Sequence, residues 1–242
     1  MRILVSPVSA EEAKNVIVGG ADIVDIKNPA EGSLGASFPW VIRDIVKLAK
    51  EHEVISSATL GDLPFKPGTA SLAASGLATL GVDYIKVGLQ GATSSNQVAQ
   101  MMGQIVRAVS EISSQATVVA AGYGDYARFG GPSPETLVEG AVAGGCRFVM
   151  LDTGIKDGLK LTDHLTYSEL DSFVQLAKQH QCQVALAGSI GWEEISIMQD
   201  LGVDLIGIRG AVCQNRDRSR PIDSALMLEF MQKAKGFERQ HA

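Results

Sequence analysis

The chain has 242 residues and a formal net charge of −6, with 45% hydrophobic and 20% charged residues. This composition is typical of a soluble globular protein, and the acidic balance provides no basic surface for nucleic acid. No apolar run approaches the roughly 18 residues needed to span a bilayer. The first residues are too few and too strand-like for a secretory signal. We therefore expect a cytoplasmic protein that binds neither nucleic acid nor membrane.

The cysteines and histidines give no sign of a disulfide framework or a zinc site. The cysteines are odd in number and widely spaced, and no two histidines have the spacing of metal ligands. These residues are Cys146, Cys182, Cys213, His52, His164, His180 and His241. We expect a protein without a metal or another cofactor, although carboxylates alone could still bind Mg²⁺.

Short apolar runs alternate with longer amphipathic stretches along the whole chain. The apolar runs predict eight strands, at 2–6, 22–27, 54–60, 83–88, 117–122, 147–152, 183–188 and 204–209. After a first helix that begins behind Ser9, the amphipathic stretches predict helices at 39–52, 69–80, 96–112, 134–143, 167–180, 193–201 and 222–235. Ser133 followed by Pro134 is a typical helix start.

Eight strands that alternate with eight helices predict an α/β fold, a single (β/α)8 TIM barrel over residues 1–242. The structural alternative is a doubly wound open sheet. That fold would not require an eighth unit, and its phosphate-binding fingerprint is missing from the first turn, residues 6–9.

An internal repeat supports the barrel. Residues 20–27 resemble 81–88 and 202–209, and residues 145–152 are a looser copy. The copies recur at about 60 residues, the length of two strand–helix units, so they fall on the even strands. Side chains of alternate strands share layers inside a barrel. The first such layer would hold Asp25, Lys86, Met150 and Gly207. The next layer, nearer the C-terminal mouth, would hold Lys27, Gly88, Asp152 and Arg209.

Two lysines lie inside the strand-like runs, where an ammonium group is costly unless it is paired or neutral. Lys27 has Asp25 two residues before it on the same face, and Lys86 would add a second positive charge. A desolvated lysine is a common nucleophile for carbonyl groups, so the pair could supply one nucleophile and one acid/base. Two alternatives stay open: both lysines face outward between helices, or they form structural Lys–Asp pairs.

Further candidates follow the later strands. Asp152 could move a proton and Lys156 could meet an anion, unless they are only a turn residue and a solvated loop charge. Glycines after strands seven and eight predict phosphate binding through Gly188, Ser189, Arg209 and Gly210, although such glycines also occur in plain turns. Long predicted loops at 28–35, 61–68 and 123–128 lie on the same rim, where function concentrates in this fold.

Longer motifs carry a family resemblance over essentially the whole chain. They are MRILVSP (1–7), ADIVDIKNPAEGSLGA (21–36), SATLGDLPFKPG (57–68), DYIKVGL (83–89) and LDTGIKDG (151–158). With these motifs the chain resembles the (5-formylfuran-3-yl)methyl phosphate synthases, also called 4-(hydroxymethyl)-2-furancarboxaldehyde-phosphate synthases, of methanofuran or methylofuran biosynthesis.

The resemblance implies a lyase that is similar to class I aldolases. It would join two molecules of glyceraldehyde 3-phosphate into a phosphorylated furan aldehyde, with loss of phosphate and water. The resemblance also assigns a Schiff base to Lys27 and proton acceptance to Lys86, and it adds Asp25, Asp152 and Lys156 to the charged site.

Two other functions compete: another class I aldolase or isomerase of triose phosphates, and a sensor that only binds a phosphorylated metabolite. The sequence does not set the oligomeric state, so a homo-oligomer is allowed.

Overall fold

The computed structural model describes residues 1–238 and shows a closed barrel of eight parallel strands. Each strand pairs with its neighbours in chain order, and β8 closes the barrel against β1. The strands are β1 (Arg2–Val5), β2 (Ile23–Ile26), β3 (Ile55–Pro64), β4 (Tyr84–Gly91), β5 (Thr117–Tyr123), β6 (Phe148–Asp152), β7 (Gln183–Leu186) and β8 (Leu205–Ile208). The predicted (β/α)8 barrel is confirmed. His241 lies outside the described residues.

Helices cover the outside of the barrel. They are α1 (Ala10–Val18), α2 (Pro39–Glu51), α3 (Pro67–Thr79), α4 (Ser95–Ser110), α5 (Pro134–Ala143), α6 (Leu161–His164), α7 (Tyr167–Gln179), α8 (Ile195–Asp200) and α9 (Ser224–Glu238). The predicted start signals are confirmed, because the Ser9 and Ser133 side chains accept hydrogen bonds from the third residue of their helices. In the described part of the chain, no helix is long and apolar enough to cross a membrane.

Two local predictions are wrong. Residues 61–64, predicted as loop, belong to β3, and β4 continues beyond its predicted end to Gly91. Glycine and proline normally indicate a turn, but here Gly61, at φ +114°, shifts the register between the two strands without ending them. In addition, α6 is an extra short helix that the sequence did not predict, inserted between β6 and α7. The longer ends of β3 and β4 and the extra helix α6 all lie on the carboxyl-end rim.

The base of the barrel is solid. Leu4, Ile23, Phe148 and Leu205 are buried inside it, and Phe148 meets Tyr84 edge to face at 5.4 Å. A larger hydrophobic layer fills the space between the strands and the helices. Because apolar side chains fill the amino end of the barrel, space for a ligand is left at the carboxyl ends of the strands.

Candidate active site

A cavity of about 560 Å³ opens at the carboxyl ends of β6, β7, β8, β1 and β2. Its volume lies within the range of about 300–1,000 Å³ that is common for small-molecule sites. The charged residues that line it are Asp25, Lys27, Asp152, Lys156, Lys160, Glu193, Glu194, Arg209, Arg216, Asp217 and Arg218. Within residues 1–238, no group of three or more histidines, cysteines and carboxylates could hold a metal ion.

Lys27 follows β2 directly and its side chain reaches the wall of this cavity. The residue is only 9% exposed, and its Nζ lies 3.9 Å from Oδ2 of Asp152. The amine is therefore close to a buried carboxylate yet accessible to a molecule in the cavity. The alternative in which Lys27 faces the outer helices does not hold.

Lys86 is paired with Asp25 beneath the cavity. The Nζ atom lies 2.6 Å from Asp25 Oδ1, and the other oxygen of Asp25 accepts a hydrogen bond of 2.9 Å from Ser6 Oγ. Lys86 is 1% exposed, and burial lowers its pKa despite the attraction of Asp25, with the charge of Lys27 acting in the same direction. The contact agrees with the predicted shared layer of Asp25 and Lys86.

Asp152, which is buried, pairs with the partly exposed Lys156 at the end of β6. Lys156 Nζ donates to Asp152 Oδ1 at 2.7 Å and to Thr153 Oγ1 at 2.9 Å. Burial alone would raise the pKa of Asp152, but the Lys156 and Lys27 charges outweigh it and the pKa is lowered. For Lys156, burial lowers the pKa more than Asp152 raises it. Asp152 is thus an ionised carboxylate between two lysine side chains.

The residues predicted to bind phosphate follow β7 and β8, and Gly188 lies next to Thr153 at the end of β6. Gly188 has φ +101°, and Ser189 has φ +55°, a region that side-chain-bearing residues occupy at a cost of about 1–3 kcal/mol. Within residues 1–238, the amides of Gly188, Ser189 and Gly210 donate no hydrogen bond. All three residues line the cavity, so their N–H groups are available to an anion.

Arg209 also lines the cavity, but its guanidinium group is fully engaged by the protein. It donates to Glu12 at 2.9 and 3.4 Å, to Ser6 O at 2.7 Å, and to the carbonyl oxygens of Arg218 and Arg220 at 2.9 and 3.3 Å. A guanidinium group has five N–H donors, and these five bonds use all of them. A phosphate contact from Arg209 would therefore require one of these bonds to break.

The sequence missed an arrangement over β3, β4 and β5. The Tyr123 hydroxyl donates to Asp62, whose carboxylate also accepts from the backbone N–H of Leu34 at 3.2 Å. Leu34 is fully buried and belongs to the same hydrophobic cluster as Val119. A Cβ at Gly88 would overlap the Tyr123 hydroxyl, so glycine is required there. The available signal was Asp62, the one acidic residue in the predicted loop 61–68.

Comparison with known proteins identifies close relatives. The chain matches the family model described as 4-HFC-P synthase over residues 3–231. The (5-formylfuran-3-yl)methyl phosphate synthase of Archaeoglobus fulgidus is 51% identical over 236 residues, which cover 98% of this chain and 100% of that protein. The protein of the same name from Methanocaldococcus jannaschii is 48% identical over 236 residues and covers 97% and 100%. The resemblance seen in the sequence is confirmed.

Solved structures show the same fold at low identity. KGPDC from Streptococcus mutans has a TM-score of 0.65, 13% identity and 97% coverage of both chains. Deoxyribose phosphate aldolase from Aeropyrum pernix has a TM-score of 0.63 and 15% identity, and covers 98% of this chain and 89% of its own. At these identities the likeness concerns the barrel alone.

Proposed function

Because the chain belongs to the 4-HFC-P synthase family, we propose that it joins two molecules of glyceraldehyde 3-phosphate into 4-(hydroxymethyl)-2-furancarboxaldehyde phosphate. The reaction is that of a carbon–oxygen lyase, and it releases one phosphate and two water molecules overall. The product would enter methanofuran or methylofuran biosynthesis in the cytoplasm. Lys27 carries the chemistry as a Schiff base, so the proposed reaction uses no metal or other cofactor.

The position of Lys27 is the observation that supports this proposal most strongly. A small carbonyl compound in the cavity could reach the Lys27 amine, and its Nζ atom lies 3.9 Å from Asp152 Oδ2. An amine that attacks a carbonyl must lose protons and the intermediate must lose water, and a nearby carboxylate can accept and return those protons. A solvent-exposed lysine would lack this partner.

In the proposed reaction, Lys27 attacks the aldehyde carbon of one triose phosphate and water leaves, which gives an iminium ion. The positive nitrogen withdraws electrons from the adjacent carbon, and loss of its proton gives an enamine. Phosphate then leaves from the next carbon. The terminal carbon of this unit then adds to C2 of the second triose, which reacts as the isomeric ketone, because that bond puts the formyl and phosphomethyl groups at positions 2 and 4 of the furan. Ring closure and loss of two water molecules follow, and hydrolysis frees Lys27.

The two ion pairs supply the acid/base groups of this scheme. Lys86 and Asp25 form one donor–acceptor pair beside Lys27, and Asp25 also lines the cavity. Lys156 and Asp152 form the other pair. We assign proton acceptance to Lys86, since burial lowers its pKa and so makes its proton easier to lose and to take up again.

Borohydride trapping tests the Schiff base. The enzyme is incubated with glyceraldehyde 3-phosphate, reduced, digested and examined by mass spectrometry. We expect a covalent adduct on the peptide that contains Lys27, and a near-ultraviolet absorbance from the conjugated furan aldehyde. Lys27→Ala should lose the adduct and at least about 10³-fold in turnover, because no other lysine replaces the nucleophile.

Lys47→Ala is the matched control, since the Lys47 side chain is 79% exposed on α2 and outside the cavity. Its adduct and turnover should equal those of the wild type. Furan formation by Lys27→Ala at the wild-type rate would contradict the mechanism. An adduct on Lys27 with an open-chain sugar phosphate as product would instead identify another class I aldolase or isomerase of triose phosphates.

A further inference from the structure

The loop after β8 carries a cavity-facing cation that has no partner in the protein. Arg218 lines the cavity and is half-buried, and its guanidinium group makes no hydrogen bond or ion pair with any residue in the described range 1–238. The acid next to it is engaged elsewhere, because Asp217 accepts bonds of 2.9 and 2.7 Å from Ser219 and lies 3.6 Å from Arg220. Arg218 is thus a positive charge that faces the ligand space.

The backbone of Arg218 is held in place by the buried Arg209. The Nε of Arg209 donates to the Arg218 carbonyl, and one terminal nitrogen donates to the Arg220 carbonyl. Glu12 fixes Arg209 from the other side and accepts from the backbone N–H of Ile222 at 3.3 Å. Arg209 therefore acts as a support that positions this loop, and the arginine next to the cavity is preorganised by it.

The surroundings of Arg218 suit an anion. Gly210, whose amide donates no hydrogen bond within residues 1–238, packs beside it, since a Cβ at Gly210 would lie 3.7 Å from the Cβ of Arg218. Lys156 is near as well: burial lowers its pKa, and the charge of Arg218 acts in the same direction. Arg216 lines the same wall but is exposed, and cation–anion contacts in water contribute little.

We propose that Arg218 binds the phosphate group of a phosphate monoester substrate in this cavity, a role for which Arg209 has no free N–H group. A guanidinium group can hold two phosphate oxygens at once, and the Gly210 amide adds a donor on the same side. This inference rests on the proposed function for the identity of the substrate, a triose phosphate. A reaction that joins two phosphorylated molecules needs a phosphate site beyond the one at Gly188 and Ser189.

Inorganic phosphate, which the reaction releases, is the probe that does not depend on turnover. Its dissociation constant is measured by calorimetry on the full-length protein for the wild type, Arg218→Ala, Arg218→Lys and Arg220→Ala. Arg220 is the matched control, since it is an exposed arginine on the same loop and outside the cavity lining. We expect about a tenfold or larger loss of affinity for Arg218→Ala, a smaller loss for Arg218→Lys, and values within about twofold for Arg220→Ala.

The kinetic arm separates substrate binding from binding of free phosphate. With glyceraldehyde 3-phosphate, Arg218→Ala should raise KM about tenfold and change kcat less, because a cation that holds the phosphate equally in the bound substrate and in the transition state contributes to binding rather than to the chemical step. If phosphate affinity falls but KM does not change, Arg218 binds released phosphate only and the substrate assignment is wrong. If Arg218→Ala matches Arg220→Ala in both measurements, the whole inference is wrong.

Two further outcomes are distinguishable. A wild-type enzyme that makes no furan product, while Arg218→Ala still weakens phosphate binding, would overturn the proposed function and retain the phosphate site. If the alanine variant does not fold, Arg218→Gln keeps most of the side-chain volume without the charge and is expected to show the same tenfold loss.

Discussion

The two halves of the barrel mouth differ in their access to ligand. Over β6, β7, β8, β1 and β2 the mouth is open as the cavity of about 560 Å³; we refer to this part as the open half. Over β3, β4 and β5 it is filled by Leu34 and by the Tyr123–Asp62 pair; we refer to this part as the closed half. Within the described residues, the cavity lining includes none from these three strands.

The loop that follows Lys27 closes the closed half. Besides the contact of Leu34 with Asp62, the Gly35 carbonyl accepts from Thr59 Oγ1 at 2.8 Å, and Ser33 Oγ donates to the Thr153 carbonyl at 2.7 Å. These side chains tie the loop to β3 on one side and to the end of β6 on the other. The loop next to Lys27 therefore also contacts Thr59, the register partner of Lys86 on β3.

The comparison teaches that the same chemical group, a lysine amine, occurs in two different environments. Lys27, 9% exposed in the open half, can meet a carbonyl carbon, whereas Lys86, 1% exposed in the closed half, can act only through Asp25. Asp25 reaches both halves, because it pairs with Lys86 and lines the cavity. Charge–charge interactions are stronger where water is excluded, so the closed half makes Asp25 sensitive to Lys86.

Removal of the amine from the closed half should have the largest effect. Lys86→Met leaves Asp25 as an uncompensated buried carboxylate, so we expect the free energy of unfolding to fall by about 3–5 kcal/mol. Denaturant titration measures this loss. The double variant Asp25→Asn/Lys86→Met should recover most of the stability, since both charges are gone, but none of the activity. Equal stability of the single and double variants would show that the two charges do not interact.

Leu34→Ala tests whether one apolar side chain closes the closed half. Removal of a fully buried leucine should cost about 2–5 kcal/mol of unfolding free energy. The cavity left by the leucine side chain should also admit water toward Lys86, because Val119, the register partner of Lys86, packs in the same cluster as Leu34. Because burial is the main reason that the pKa of Lys86 is lowered, hydration should raise it, measured by NMR of labelled lysine.

Leu72→Ala on α3 is the control for that variant, since Leu72 is 78% exposed. It should change neither the stability nor the pKa of Lys86. If Leu34→Ala destabilises the protein and the pKa of Lys86 stays unchanged, another group shields the amine and the closed half does not depend on Leu34.

The barrel could be predicted from the sequence because its signals are periodic and local. Buried parallel strands are continuous apolar runs, and eight of them with helices between fix the architecture. The end of β3 could not be predicted, since Gly61 and Pro64 are turn formers whose local preference is overridden by pairing with β4. Strand ends that project beyond a barrel depend on the partner strand, which lies far away in sequence.

The open half was largely predicted and the closed half was not. The repeat placed Asp25, Lys27 and Asp152 of the open half at one mouth, because strand periodicity fixes the direction of side chains. Of the closed half it predicted only Lys86, in the layer of Asp25. Leu34 lies in a loop and Asp62 follows the register shift in β3, so the regular strand periodicity does not indicate the direction of either side chain. Arg209 was predicted as a phosphate ligand from its place after β8, and its engagement with Glu12 depends on a contact between residues 197 positions apart. Such contacts follow only from the folded chain.

The smallest expected effect concerns the hydrogen bond that holds the closed half together. Tyr123→Phe removes the hydroxyl that donates to Asp62, and we expect a loss of roughly 1–3 kcal/mol, as for a hydrogen bond to a charged group. Tyr167→Phe is the control, because Tyr167 is 53% exposed at the start of α7. Chemical denaturation of both variants at neutral pH measures the difference.

The pH dependence of that difference sharpens the test. Burial and the nearby Asp62 carboxylate raise the pKa of Tyr123 well above its ordinary value of about 10. In the unfolded chain the hydroxyl ionises near that ordinary value, so its contribution is complete below about pH 10 and is lost as the pH rises toward the folded-state pKa. The stability difference between wild type and Tyr123→Phe should therefore be constant below about pH 10 and shrink above it. A difference that grows above pH 10 would mean that Tyr123 ionises more readily in the folded protein, which a hydroxyl shielded from water beside a carboxylate cannot do.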